Sequence, residues 1–127
     1  MKQLLISLLL LGSISTNAQS FSHVFKYRDI TENKKTTYLI EESVATFNYR
    51  GKPQLRLQVG EKVFLFYYKS VPENVETYLG KAQRVVLQDP QGKYYYLYSY
   101  GNALYGISIT NGITEISYHN IDYDILK

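Results

Sequence analysis

The 127-residue sequence has no cysteine and no tryptophan, only three prolines and only two histidines. Without cysteine we expect no thiol nucleophile, no soft metal site and no disulfide, so a domain of this size must rely on its own core. The missing cysteine also removes lipid modification of cysteine as a route of anchoring. The longest apolar run, residues 4–11, is far shorter than the ~20 residues that a membrane-spanning helix needs.

An excess of charge of one sign is also lacking. Lysine and arginine total 14 and aspartate and glutamate 11, which gives a formal net charge of +3 at pH 7. The basic side chains are scattered, and Lys34-Lys35 is the only adjacent pair. Nucleic-acid binding usually needs a clustered basic stripe. We therefore predict no nucleic-acid partner.

The first eighteen residues have the pattern of a cleavable secretory signal peptide. Lys2 precedes the apolar run, and small and polar residues follow it. Thr16 and Ala18 satisfy the small-x-small rule, which places the cut before Gln19. The alternative, a buried core segment, has no upstream element with which to pair. We predict a signal peptide over residues 1–18.

The motif Asn17-Ala18-Gln19 resembles the end of signal peptides from Gram-negative Bacteroidota. This resemblance implies export to the periplasm or to the extracellular space. We expect a single exported β domain over residues 19–127, with no membrane span once the signal peptide is removed.

Tyrosine is unusually frequent, with 14 copies. Aromatic residues favour strands and also suit recognition surfaces. Alternating apolar and polar runs between turn motifs predict a mainly β fold, an antiparallel meander of about 8–10 strands that forms a small barrel or a two-sheet sandwich. Ser70 and Glu73 match a capping box, so a short helix near residues 71–79 is predicted, with an irregular linker as the alternative.

Turn motifs set the predicted strand pairing. Gly60-Glu61 predicts a two-residue turn, and Asp89-Pro90-Gln91-Gly92 predicts a three-residue loop. Asn111-Gly112 predicts a two-residue turn that pairs Thr110 with Ile113.

The turn at Tyr100-Gly101-Asn102 is ambiguous from its residues alone. A three-residue loop pairs Tyr95 with Ile107 and keeps all apolar residues on one face, so we prefer it. The core face predicted from these pairings is Val85, Leu87, Tyr95, Leu97, Tyr105, Ile107, Ile109, Ile116 and Tyr118.

The opposite face of this sheet carries a stripe of tyrosines about 6.7 Å apart along one strand. In the predicted register the middle ring, Tyr96, lies beside Gly106. The candidate binding residues are the stripe and its hydrogen-bonding neighbours: Tyr94, Tyr96, Tyr98, Arg84, Gln88, Glu115 and His119. Three interpretations stand: solvent-facing tyrosines that pack across neighbouring strands, a face buried against other elements, or a recognition surface.

Chemical motifs are sparse. His23 and His119 do not have a metal-ligand spacing, and no G-x-S-x-G motif is present. The Asp122-x-Asp124 pair has Ca²⁺-binding chemistry but is more typical of a solvated edge. We predict no catalysis, no metal and no cofactor.

These observations favour a non-catalytic secreted or periplasmic binding domain that uses the tyrosine-rich face, with a glycan or a protein as partner. One alternative is a lipocalin-like carrier that holds a small apolar ligand inside a barrel. Another is an inhibitor of a secreted enzyme, which would present a loop instead of a face.

Overall fold

The computed structural model describes residues 19–122, which form eleven antiparallel β-strands. In chain order these are β1 (Phe21–Phe25), β2 (Tyr27–Glu32), β3 (Lys35–Leu39), β4 (Ser43–Phe47), β5 (Gln54–Val59), β6 (Lys62–Tyr68), β7 (Glu73–Thr77), β8 (Gly80–Gln88), β9 (Tyr94–Tyr100), β10 (Ile107–Thr110) and β11 (Thr114–His119). The predicted mainly β, antiparallel fold is confirmed. Within the described residues the only helical segments are the 3₁₀ turns Tyr49–Gly51 and Ala103–Tyr105. None of the described segments is a helix long and apolar enough to cross a membrane.

The strands form one continuous sheet that curls back on itself. Its order is β1-β4-β5-β6-β8-β9-β10-β11-β2-β3, and β7 pairs with β8 beside this path. β1 and β2 lie near opposite ends of that order but are joined by Lys26 alone, so the two ends meet. Asn120, which follows β11, bridges the seam: its Oδ1 accepts from the Lys26 N–H at 2.8 Å, and its Nδ2 donates to the Val24 carbonyl at 3.2 Å. Of the two predicted architectures, this single sheet excludes two separately paired sheets, and no described ladder joins its end strands β1 and β3.

Alternation along eight of the strands places a single apolar cluster inside the curl. Its buried members are Phe25, Ala45, Phe47, Leu55, Leu57, Val59, Phe66, Tyr68, Val85, Leu87, Leu97, Ile107, Ile109 and Tyr118. The predicted core face lies here, with Tyr95 and Ile116 partly buried at its margin. Tyr105 is the exception, because it belongs to a 3₁₀ turn and not to a strand. Removal of this cluster from water is the main stabilisation of a chain without disulfides.

Two turns have the predicted register. Gly60-Glu61 joins β5 to β6 as a two-residue turn, and Gly60 has the positive φ, 60°, that its first position requires. The three-residue loop between β8 and β9 is flanked by Asp89 and Lys93, whose backbone N–H and carbonyl are 2.9 Å apart.

The loop between β9 and β10 is longer than predicted. Ser99, not Tyr95, pairs with Ile107. The extra residues form the 3₁₀ turn Ala103–Tyr105, and the Asn102 side chain accepts a hydrogen bond from a backbone N–H of this turn at 3.0 Å. The partner of Ile107 on β9 is thus four residues later than predicted. Because four is an even number, the residues of β9 that were predicted to face inward still do so.

The turn between β10 and β11 is displaced by one residue from its predicted position. Its centre is Gly112-Ile113, because the Asn111 side-chain oxygen accepts from two backbone N–H groups of the turn, at 2.9 and 2.8 Å. Asn111 therefore begins the turn instead of lying within it. Thr110 pairs with Glu115, and the predicted pairing of Thr110 with Ile113 is wrong.

The predicted helix near residues 71–79 is also wrong, because this segment contains strand β7. β7 pairs with the first half of β8, which β6 leaves open by pairing with only the last two residues of β8. The two capping residues have other partners: Ser70 Oγ accepts from the Val86 N–H at 2.9 Å, and Glu73 forms an ion pair with Arg84. Strand pairing with β8 outweighs the local capping signal.

Two sequence predictions fall on residues outside the described range. The predicted signal peptide, residues 1–18, is one of them. The other is the carboxylate pair Asp122-x-Asp124, of which only Asp122 is described.

Candidate binding surface

β9 presents three tyrosines on the outside of the curled sheet. Its inward residues Leu97 and Ser99 are buried. Tyr94 and Tyr96 are 60% and 44% exposed, and Tyr98 is half-buried. The ring centres of Tyr96 and Tyr98 lie 6.5 Å apart, as alternate residues of one strand require. The outer surface of β8 to β11 that carries these three rings is called the tyrosine face below.

Arg84 of β8 is fixed against the tyrosine face by three contacts. Its guanidinium carbon lies 4.9 Å from the centre of the Tyr96 ring, and its side chain hydrogen-bonds to Tyr98. Its Nε donates to Glu73 Oε1 at 2.7 Å. A guanidinium stacked on an aromatic ring keeps its planar set of donors in a defined orientation. Arg84 therefore places an oriented cation next to an exposed ring.

The observed register brings Glu115 into the same row as Tyr96. Tyr96 pairs with Thr110, and Thr110 pairs with Glu115. The predicted pairing of Tyr96 with Gly106 is wrong, since Gly106 lies in the loop before β10. Aromatic rings, a cation and a carboxylate thus share one face of the sheet.

Two of the candidate residues serve other parts of the molecule. Gln88 lies beside Tyr94 in the ladder, but its Nε2 donates to the Gly92 carbonyl at 3.2 Å and supports the β8–β9 turn. His119, at the end of β11, is 4% exposed and its ring is bonded to Asp29, so little of it can contact a ligand. The candidate residues that the fold brings together are Tyr94, Tyr96, Tyr98, Arg84 and Glu115.

His119 forms a partly buried pair with Asp29, with 2.9 Å between Nε2 and Oδ2. The Nδ1 of His119 accepts from the Ile121 N–H at 3.1 Å, so the neutral ring carries its proton on Nε2 and donates it to Asp29. In a serine triad the carboxylate binds Nδ1 and leaves Nε2 for the nucleophile. The present arrangement is reversed, and both ring nitrogens are engaged. Burial raises the pKa of Asp29, and the interaction with His119 opposes that shift.

The β7–β8 hairpin adds a side wall that the sequence does not predict. A cavity of about 270 Å³ lies between this hairpin and the tyrosine face. It is lined by Val75, Glu76, Thr77, Tyr78, Arg84, Tyr98, Tyr100, Thr110 and Glu115. Loss of hydration, followed by the charges of Glu115 and Asp29, raises the pKa of Tyr78, although most of this side chain is exposed. The sequence does not reveal this wall, because it predicts a helix near residues 71–79, and a helix there could not pair with β8.

A second depression continues the surface toward the β10–β11 turn. Its volume is about 440 Å³, and it is lined by Val86, Tyr94, Tyr95, Tyr96, Thr110, Asn111 and Gly112. Both depressions include Thr110. The exposed ring of Tyr96 and the half-buried ring of Tyr98 therefore lie along one extended concave surface.

Buried hydroxyl groups support the floor of this surface. The Tyr100 hydroxyl lies 2.9 Å from Ser108 Oγ, which lies 2.8 Å from Ser117 Oγ. Burial raises the pKa of Tyr100 to about 12, so the phenol is neutral near pH 7. A connected set of hydrogen-bonded hydroxyls keeps the overlying side chains in place.

Within residues 19–122, no group of three or more histidine, aspartate or glutamate side chains is placed to hold a metal ion. No protein-family model, no curated protein and no solved structure matches the chain. The function is therefore inferred from the geometry of the surface.

Proposed function

We propose that the protein is a non-catalytic, exported binding domain that recognises a glycan through the tyrosine face. One observation carries the proposal: Arg84 is stacked on the exposed ring of Tyr96, and Glu115 occupies the same row of the sheet. Aromatic rings offer flat apolar surface, while the guanidinium and carboxylate offer directional hydrogen bonds.

Sugars need this combination. Each pyranose ring has an apolar C–H face that packs on an aromatic ring, and hydroxyls at its edge that pair with charged side chains. The distance along β9 from Tyr94 to Tyr98 is about 13 Å by strand geometry. This length suits a short oligosaccharide better than a single sugar unit.

The surface is also organised before a ligand arrives. Arg84 is held by Tyr96, Tyr98 and Glu73, so binding need not immobilise a mobile arginine side chain. The surface is concave at two adjoining depressions, which favours a glycan over the flat contact of a typical protein interface. Export would bring the domain into contact with envelope or extracellular polysaccharide.

A glycan array, followed by titration of the best ligand, tests the proposal. We expect Tyr96→Ala and Tyr98→Ala each to weaken binding by about five- to tenfold, because an aromatic contact contributes about 1 kcal/mol. Tyr38→Ala is the matched control: it removes a tyrosine that is 62% exposed on β3, four strands from β9 in the sheet order, and should leave affinity unchanged. Circular dichroism of each variant confirms folding. Unchanged binding in both face variants would remove the tyrosine face as the site, and binding to a protein but to no glycan would refute the choice of ligand.

A further inference from the structure

The inner side of the sheet holds a second cavity, at the end where the β5–β6 and β10–β11 turns lie. Its volume is about 250 Å³, and it is lined by Arg28, Leu57, Phe64, Phe66, Tyr95, Ile109, Asn111, Thr114, Ile116 and Tyr118. Leu57, Phe66 and Ile109 are among the buried residues of the core. Phe64 is 43% exposed, so the apolar lining continues outward to solvent. Tyr95 and Asn111 line both this cavity and the second depression of the tyrosine face, whereas Leu57, Phe66 and Ile109 line this cavity alone.

Strand pairing explains why the sheet is open at this place. β6 pairs with β8 only through Tyr67 and Tyr68, near the end of β6. The earlier residues of β6 pair with β5 alone in the described ladders, and Phe66 meets Tyr95 of β9 edge to face at 5.4 Å instead. Beyond the end of the β6–β8 ladder, β6 and β9 are therefore in contact through side chains and not through backbone hydrogen bonds. An entry route into the core is a consequence of this short ladder.

Among the described residues that line the cavity, Arg28 is the single charged side chain. One of its terminal nitrogens lies 2.6 Å from Glu41 Oε1, and its side chain hydrogen-bonds to Tyr118. Its Nε is buried and has no hydrogen-bond partner among the described atoms. The Nε N–H is closed to solvent, so a ligand reaches the guanidinium through its terminal nitrogens, where a charge-assisted hydrogen bond is stronger than a neutral one.

Tyr118 adds a neutral hydroxyl at the same wall. Burial raises the pKa of Tyr118 to about 12, an effect that Arg28 opposes, so the phenol keeps its proton near pH 7. The cavity therefore combines an apolar interior with one hydroxyl and one cation, and an anionic head group would share that cation with its existing partner Glu41.

We propose that this cavity binds a small amphiphilic carboxylate, with its hydrocarbon part inside the curled sheet and its carboxylate at Arg28. An apolar cavity of about 150 Å³ is enough to bind benzene, whereas drug-sized ligands need about 300 Å³ or more. The observed volume fits a short fatty acid or a substituted single ring. The site is distinct from the glycan site, because its apolar interior, Leu57, Phe66 and Ile109, lines neither depression of the tyrosine face.

The test is a titration of ¹⁵N-labelled protein with octanoate and with 1-octanol, which differ only in the head group. We expect octanoate to shift the amide signals of Leu57, Ile109 and Tyr118, and to bind about tenfold more tightly than 1-octanol, since a hydrogen bond to a charged partner is lost with the alcohol. Arg28→Met should reduce octanoate affinity to that of 1-octanol and leave 1-octanol affinity unchanged.

Arg56→Met is the matched control, because Arg56 lies on β5 beside Tyr49 and does not line the cavity. It should bind octanoate as the unmodified protein does. The wild-type comparison of the two probes needs no substitution, so poor folding of a variant cannot hide the answer. Equal affinity for octanoate and 1-octanol, shifts confined to the tyrosine face, or no shifts at saturating octanoate would each overturn the proposal. None of these results bears on glycan binding.

Discussion

Gly106 shows how a single residue fixes the structure around the loop before β10. Its φ is +63°, and a Cβ at this position would lie 2.0 Å from the Tyr118 carbonyl oxygen and 2.9 Å from the Phe25 ring. The first neighbour is backbone and cannot move aside without disturbing β11. Only glycine fits this close approach of two backbone segments.

Replacement of this glycine should therefore destabilise the folded protein strongly. We expect Gly106→Ala to lower the free energy of unfolding by about 3 kcal/mol or more, from a left-handed backbone together with overpacking. Gly60→Ala is the control, since Gly60 also has a positive φ but nothing lies within 4 Å of the place that a Cβ would occupy there. It should cost about 1 kcal/mol. Urea unfolding of both variants measures the difference, and equal losses would contradict the steric explanation.

Asp29 is a residue whose environment makes stability depend on pH. Its pKa is raised from 3.8 in the folded protein, chiefly by burial. The folded state therefore binds this proton more tightly than the unfolded state, and stability falls as pH rises from 3.8 through the raised pKa. Asp29→Asn keeps an acceptor for His119 but removes the titration. We expect the variant to lose this part of the pH dependence and to be at least as stable as the wild type at pH 7.

Thermal melting of both proteins between pH 4 and pH 7 checks this prediction. The quantity to compare is the difference between the two melting temperatures at each pH. A difference that is constant across the range would show that Asp29 does not contribute.

At the scale of strands and turns, local sequence decides some features and not others. Period-two alternation correctly predicts which residues of β8 and β9 face inward, because burial of one face fixes that pattern whatever the loops do. The register is harder: Asn102 and Asn111 each bond backbone N–H groups through the side chain, which adds or moves turn residues. The helix predicted near residues 71–79 is wrong for a different reason. This segment pairs with the part of β8 that β6 leaves unpaired, and the capping residues carry no information about that pairing.

Asn120, which follows β11, connects the end of this strand to β1 through its side chain. Its two hydrogen bonds, to Lys26 and Val24, join residues more than 90 positions apart in the chain. We expect Asn120→Ala to destabilise the fold by about 1–2 kcal/mol and to increase amide hydrogen exchange at Lys26 and along β1, while β8 and β9 stay protected. Asn74→Ala is the control, because Asn74 makes one exposed bond, to Gln83 on the adjacent strand. An unchanged exchange rate at Lys26 would contradict the role given to Asn120.

At the scale of the whole molecule, the curled sheet produces both proposed sites. The outer face of β8 to β11 carries the tyrosine face, and the short β6–β8 ladder opens the inner cavity. The sequence predicts the stripe of Tyr94, Tyr96 and Tyr98, because a strand places alternate residues on one side. It does not predict the wall made by the β7–β8 hairpin or the pairing of Arg28 with Tyr118. Those features arise from contacts between segments distant in sequence, which turn motifs do not encode.

The most direct test of glycan binding at the tyrosine face is a shift map of the ¹⁵N-labelled protein with the best glycan from the array. We predict that the largest amide changes fall at Tyr94, Tyr96, Tyr98, Arg84 and Glu115, on the outer face of the sheet. Leu57 and Ile109, on the inner side, should be unaffected by this ligand. Changes confined to residues away from the tyrosine face, or none at saturation, would contradict glycan binding at this surface.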